Sequence, residues 1–191
     1  MKSSVNLTNY TVIIPTYNEE NNISDCLGSL AGVPEIVIVD SFSDDKTCII
    51  AEEYNVRIFQ HKFYSHGDQI NWCLNNASYD WIFVLDADER FTPKLNSEIC
   101  SLVSEGNKTT FRVKRINYFL GKRISHGLWS RDCPVRLFNR LENSYNVQRV
   151  HSSLSKNGKI KKLNYSIKHY SYNSVDEYIT KMKRFSEGAA L

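Results

Sequence analysis

The 191-residue sequence contains no run of about 18 apolar residues, the length needed to cross a bilayer as a helix. Its opening, MKSSVNLTNY, lacks the apolar core of a secretory leader, which predicts a cytoplasmic location. Cysteine is sparse: Cys26, Cys48, Cys73, Cys100 and Cys133 are odd in number, widely spaced and form no CxxC pair. That pattern argues against a disulfide framework and against a zinc knuckle. Linkers, internal repeats and low-complexity tracts are missing too. The length suits one domain with a sizeable core and is too short for two comfortable ones. We therefore expect a single domain over residues 1–191, with halves 1–108 and 109–191.

A hydrophobic content of 41% and an aromatic content of 12% are globular values and exclude wholesale disorder. The net charge of +3 hides an asymmetry. Residues 1–100 carry 6 Lys and Arg against 15 Asp and Glu, whereas residues 101–191 carry 18 against 6. One half thus suits cations, and the other suits an anionic partner such as phosphates or a membrane surface. Mutual neutralisation across the fold is the plainer account of the same numbers. Nucleic acid is not an expected partner, because the basic residues are scattered over several strands and not gathered on one helix.

Two periods alternate through the first hundred residues. YTVIIP (10–15), EIVIVD (35–40), VRIFQ (56–60) and WIFVLD (81–86) are short β-branched or aromatic runs bounded by turn residues. Their near-continuous apolarity suits strands covered on both faces of a parallel sheet. Helical patterns lie between them. In NNISDCLGSL, Ile23, Cys26, Leu27 and Leu30 share one face; DDKTCIIAEEY and GDQINWCLNNA fill the next gaps. TPKLNSEICSLV opens with Thr92 as N-cap and Pro93 at the first helical position. The order β-α-β-α-β-α-β-α predicts an α/β fold with a right-handed, doubly wound, mostly parallel sheet.

Beyond residue 109 the pattern changes to strands and hairpins: TTFRVKRINYF, CPVRLFNR, NVQRVHSSLS and YSIKHYSY, with KNGK as a turn. A C-terminal helix is expected from a capping box, Ser174 and Glu177, followed by an apolar stripe of Val175, Tyr178, Ile179, Met182 and Phe185. The pattern is still helical at Leu191, which suggests a longer natural chain.

In an open α/β sheet, ligands bind beyond the carboxyl ends of the strands. The groups at that rim are TYNEE (16–20), DSFSDD (40–45) and DADE (86–89). Asp86, Asp88 and Glu89 repel one another, so their crowding after a wholly apolar run points to a bound cation. Magnesium or manganese takes one or two carboxylates and completes its shell with substrate phosphates and water. Asp86 and Asp88 leave the strand in alternate directions, so one can hold the metal while the other orients the ligand or its ribose. Asp40 is placed to accept hydrogen bonds from a base or ribose. Asp44 and Asp45 read more simply as turn or helix caps.

Taken together and in order, IIPTYNEENNI, IVDSFSDDKT and FVLDADERF resemble the family 2 glycosyltransferases, inverting enzymes with a GT-A nucleotide-diphospho-sugar-binding fold. Within that family the chain looks most like small bacterial transferases that extend the lipopolysaccharide inner core. The resemblance implies that Pro15, Thr16, Tyr17 and Glu19 line the nucleobase pocket, that Asp40 contacts the uridine and that Asp86 touches ribose or sugar. It implies that Asp88 ligates a Mn2+ or Mg2+ ion bridging the diphosphate. Inversion needs a general base opposite the leaving group. Asp132, in WSRDCPVRLFNR, matches the family's position for it and is the sole Asp between Asp88 and Asp176. A surface turn is its structural alternative. Arg136 is expected to contact the donor phosphates or the acceptor, or else to form a structural salt bridge. His169 is a candidate second metal ligand and His151 a further functional candidate; a buried, hydrogen-bonded histidine is the plainer reading of each. Trp129 is a candidate for sugar stacking, although core packing explains most aromatics in a small domain.

Two positions depart from the family pattern. Ser152 follows the histidine of RVHSSL where relatives place an acid, and Ile70 stands in DQINW where relatives place Lys or Arg. The first bears on acceptor positioning and the second removes a phosphate contact. A phosphohydrolase of the D-x-D type does not fit, because Arg90 replaces its Thr or Val and the motif follows the fourth strand. The expected activity is transfer of a hexose from a nucleotide-diphospho-sugar, UDP-glucose by preference, to a glycan, lipid-linked or lipopolysaccharide acceptor, with peripheral contact to an anionic membrane. A nucleotide-sugar-binding module without transferase activity is the alternative.

Overall fold

The computed structural model describes residues 9–105, 109–147, 153–154, 159–172, 174–176, 178–180 and 182–183. Four parallel strands open the chain: β1 (Thr11–Thr16), β2 (Glu35–Asp40), β3 (Arg57–Gln60) and β4 (Trp81–Val84). Helices α1 (Ile23–Gly28), α2 (Thr47–Ala51), α3 (His66–Leu74) and α4 (Pro93–Ser104) follow them in turn. The start of α4 is the one its sequence predicts, with the Thr92 hydroxyl accepting from the Leu95 N–H at 3.3 Å and Pro93 at the first helical position. Helix α3 starts from Ser65, whose hydroxyl accepts from the Asp68 N–H at 3.1 Å.

The continuous apolar runs are explained by burial on both faces. Val12, Ile14, Ile38, Phe83 and Leu85 pack toward α1 and α4 through Leu27 and Leu95. Ile13, Val37, Val39, Ile82 and Val84 pack the other way, toward Ile70 and Cys73 of α3. Alternate residues of one strand thus enter two cores. Ile70, the position lacking the expected basic residue, is fully buried in the second of these cores.

The second half contributes β6 (Thr110–Phe119), β7 (Lys122–Arg123), β8 (Val135–Asn139) and β9 (Ile160–Tyr172), after the short β5 (Glu89–Arg90). The strands pair in the order β3-β2-β1-β4-β8-β6-β9-β5, with β7 alongside β6. The strand-rich half is therefore not a separate layer. Strand β8 pairs antiparallel with β4, Trp81 opposite Asn139, and carries the same sheet onward. Pairing is parallel through the first four strands and mixed thereafter.

Strand β9 is longer than its expected segment, and β5 and β7, two residues each, carry too little sequence to show a period. The expected strand 146–155 is represented by a Tyr145–Leu154 bridge and by the Asn146 N–H donating to the Ser153 carbonyl at 2.9 Å; Asn146, Val147 and Ser153 are not themselves in a strand, and 148–152, 155 and most of the KNGK turn lie outside the described residues. Helical backbone at 175–176, 178–180 and 182–183 agrees with the expected C-terminal helix, while Glu177 and Phe185 fall outside the described residues. No described helix is long and apolar enough to cross a membrane.

Candidate active site at the sheet's switch point

The strand order reverses between β1 and β4, which makes a crevice beyond their carboxyl ends. The TYNEE and DSFSDD loops are tied together beside it. The Asn18 N–H donates to Ser43 Oγ (2.9 Å), the Glu19 N–H to Thr47 Oγ1 (2.7 Å) and the Glu20 N–H to Asp45 Oδ2 (3.0 Å). Asp44 accepts from the Asn18 amide at 2.7 Å. Asp44 and Asp45 thus serve as loop caps. Tyr17 is left half exposed at this rim, Pro15 and Glu19 are half-buried, and Thr16 is buried.

Asp40 ends β2 at this rim. It is fully buried, and its carboxylate accepts from the Ser43 N–H (2.8 Å), the Ser43 hydroxyl (2.5 Å) and the Thr16 hydroxyl (3.1 Å). It shapes the DSFSDD loop and faces protein.

The crowding of acids in DADE is resolved by two arginines from the second half. The turn closes on itself: the Glu89 N–H donates to the Asp86 carbonyl and the Asp86 N–H donates to Glu89 Oε2, both at 2.9 Å. Arg136, almost fully buried on β8, grips Asp86 through both terminal nitrogens and reaches Glu89 Oε1 at 2.8 Å. Of the roles the sequence left open for Arg136, the geometry shows the salt bridge. Arg115, on β6, donates to Glu89 Oε1 at 3.2 Å and lies 3.6 Å from Asp86.

Burial raises the Asp86 carboxyl, but Arg136 and, less, the nearby His66 outweigh it and hold the group well below the usual carboxylate range. Glu89 goes the other way. Complete burial, reinforced by the charge of Asp86, lifts it above its ordinary value in spite of both arginines.

Asp88 turns away from this network toward β9. His169 Nε2 stands 3.4 Å from Asp88 Oδ2. The histidine's other nitrogen is held by Asn117 Oδ1 at 2.5 Å. The Asn117 amide nitrogen donates to the Trp129 carbonyl at 2.6 Å, which fixes the amide so that its oxygen faces the ring. With its proton on Nδ1, where Asn117 offers an acceptor, Nε2 would be the ring atom open to a metal. Two ligands at right angles on a divalent ion, each at about 2.1 Å, stand about 3 Å apart. At 3.4 Å apart, Asp88 and His169 are the residues here that could hold a divalent ion. Among the described residues no group of three or more His, Cys, Asp or Glu forms a complete protein-only metal site.

Asp132 faces the same space. A cleft of about 310 Å3 is lined by Asp88, His169, Asp132, Arg115 and Trp129, among others. Arg115 holds one oxygen of Asp132 through Nε (2.7 Å) and Nη2 (2.6 Å), while its backbone N–H donates to the Asp132 carbonyl at 3.0 Å. The second carboxylate oxygen is not engaged by this fork, and the side chain is 30% exposed. Trp129 is 42% exposed, its ring packed near Phe119 and Tyr172. His151 and Ser152 lie outside the described residues.

Residues 11–163 match the family described as Glycosyl transferase family 2. The chain belongs to glycosyl transferase family 2. Among relatives of this family 2 chain, the lipopolysaccharide core biosynthesis glycosyltransferase LpsC of Rhizobium meliloti is 28% identical over 177 residues, covering 88% of this chain and 66% of its own. A glycosyltransferase of Rickettsia felis is 26% identical over 197 residues, 94% of this chain and 68% of its own. The chain thus spans about two thirds of the length of these curated relatives. The crystal structure of Staphylococcus aureus TarS 1–349 in complex with UDP-GlcNAc superposes with a TM-score of 0.67 at 16% identity, over 87% of this chain and 59% of that one. The shared feature is the fold, the GT-A type.

Four residues at the site escaped the sequence reading: Arg115, Asn117, Glu89 as the hub of the ion network, and His66, whose Nε2 lies 3.8 Å from Asp86. A signal existed for two of them. Phe111, Val113, Arg115 and Asn117 occupy one face of β6 at period two, and the polarity switches from apolar to polar along an inward face.

Proposed function

We propose that this family 2 domain is a metal-dependent inverting glycosyltransferase that moves a hexose from a UDP-sugar, UDP-glucose by preference, to a hydroxyl of a glycan or lipid-linked acceptor in cell-envelope polysaccharide synthesis. The observation that carries the reading is the convergence of the Asp88–His169 pair and Asp132 on one cleft. Names among the relatives, lipopolysaccharide core biosynthesis above all, support the acceptor class.

In the proposed reaction the oxygen of Asp132 not held by Arg115 takes the proton of the acceptor hydroxyl. The hydroxyl oxygen then attacks the anomeric carbon from the face opposite the diphosphate, whose oxygen leaves with the bonding electron pair. Arg115 fixes the direction of the base. Asp86, locked by Arg136, presents an ionised acceptor to ribose or sugar hydroxyls. Tyr17 offers a ring to the nucleobase and Trp129 a ring to the acceptor sugar. A divalent cation, Mn2+ or Mg2+, held by Asp88 and His169 would neutralise charge on the leaving diphosphate. With a lipid-linked acceptor, the enzyme works at the inner face of the cytoplasmic membrane.

The test is thermal unfolding with UDP, with and without manganese, for wild type and Asp88→Ala. Ligand at about 100 times its dissociation constant adds roughly 2.7 kcal/mol. For a chain of this size the midpoint rises by roughly 5 to 10 °C. A manganese-dependent rise lost in Asp88→Ala is expected, and no rise with any nucleotide would overturn the reading. Asp132→Asn should keep the rise and lose sugar transfer; intact transfer would remove Asp132 as the base.

A further inference from the structure

Beside the cleft lies a groove of about 620 Å3 that the proposed reaction does not use directly. Leu120, Ile124 and Trp129 line it together with Lys122, Arg123 and Tyr178. It is built by the β6–β7 hairpin and the short 3-10 turn Leu128–Arg131 that follows. We infer that this hairpin and turn dock the protein onto an anionic lipid bilayer, with Leu120 and Leu128 entering the interface, Trp129 at its boundary and Lys122, Arg123 and Arg131 meeting the headgroups. The inference rests on the proposed acceptor side of the active site, because Trp129 belongs to both the groove and the cleft.

The hairpin turn is costly for what it displays. Residues 120 and 121 both have positive φ, +49° at Leu120 and +73° at Gly121, and join Phe119 to its partner Lys122. A two-residue turn of this kind favours Asn or Gly at its first position. A branched apolar residue there is strained. The strain sets the Leu120 side chain at the tip, 41% exposed. Leu128 is 87% exposed in a turn that follows Gly127, itself at φ +76°.

Their setting is cationic. No acid occurs from residue 109 to residue 131, while six Lys or Arg residues do. Lys122, Arg123 and Arg131 are exposed and, among the described residues, make no ion pair. In a 3-10 turn residues three apart eclipse each other, so Arg131 stands beside Leu128. Apolar tips flanked by cations, with a tryptophan at the boundary, match the chemistry of an interfacial anchor on anionic lipid. The hairpin is also rigidly placed: the Ile124 N–H donates to the Asn117 carbonyl at 2.8 Å, and the Asn117 side chain holds Trp129. Docking here would bring the cleft that contains Asp132 against the membrane surface, where a lipid-linked acceptor presents its hydroxyl.

Co-sedimentation with vesicles tests this. Wild type should bind vesicles of phosphatidylcholine mixed with phosphatidylglycerol and leave vesicles of phosphatidylcholine alone. Each basic residue near an anionic surface contributes about fivefold in binding, so Lys122→Gln/Arg123→Gln should bind roughly 25-fold more weakly. Leu128→Ser should bind more weakly as well. The UDP-induced rise in unfolding temperature serves as the control and should be unchanged in both variants. Equal binding to both vesicle types, binding to neither, or variants that bind as wild type would overturn the docking surface. Vesicle binding without any nucleotide-induced rise would leave the docking surface standing and remove the donor site instead.

Discussion

Arg136→Met removes the side chain that the acidic turn depends on. Arg136 is 5% exposed and is the bidentate partner of Asp86 and the nearest cation to the fully buried Glu89. Taking one partner from a buried ion pair costs about 3–5 kcal/mol, because the remaining charge stays desolvated. The lower end applies here, since Arg115 still donates to Glu89 at 3.2 Å and lies 3.6 Å from Asp86. About 3 kcal/mol in a chain of this length lowers the unfolding midpoint by roughly 6–12 °C, measurable by calorimetry.

The sign of the pH dependence is a second check. Glu89 already has a carboxyl raised by burial, and losing Arg136 raises it further. A proton on Glu89 then relieves the unpaired charge, so the deficit should be larger at pH 8 than at pH 5. Adding Glu89→Gln to Arg136→Met should recover part of the loss, with a coupling of about 1 kcal/mol or more. A loss below about 1 kcal/mol, or the same loss at both pH values, would refute the view that Arg136 is what allows three acids to share four positions.

Two smaller effects follow, one at the amino edge of the sheet, opposite the site, and one at the start of α3. Glu35 is raised by burial, but hydrogen bonds from Ser78, Thr11 and Arg57 outweigh this and lower its carboxyl below the ordinary value. It therefore stabilises the fold above its unfolded value of about 4.3 and stops doing so as pH falls through the folded one. Glu35→Gln should flatten the loss of stability on acidification in urea titrations across that range, and an unchanged acid limb would count against it. Ser65→Ala removes the cap of α3, the helix that carries His66, and should cost about 0.5–2 kcal/mol in the same titrations; no change would show that the helix is held by packing alone.

What the sequence determined alone is what neighbours along the chain encode. Apolar runs with turn residues at their ends read as β1 to β4, and Thr92 followed by Pro93 marks the start of α4, because hydrophobic period and cap chemistry are local. The acidic strand ends were legible for the same reason, since a parallel sheet sends all such ends to one rim. Their partners were not legible. Arg115 and Asp132 meet across 17 positions, Arg136 and Asp86 across 50, Asn117 and His169 across 52. Those encounters depend on β8 pairing with β4, β6 with β8 and β9 with β6. Strand pairing is chosen by the packing of whole faces, which no short window contains. That choice makes Asp40 a buried loop support and Arg136 the clamp on DADE, and it turns His169 toward Asp88.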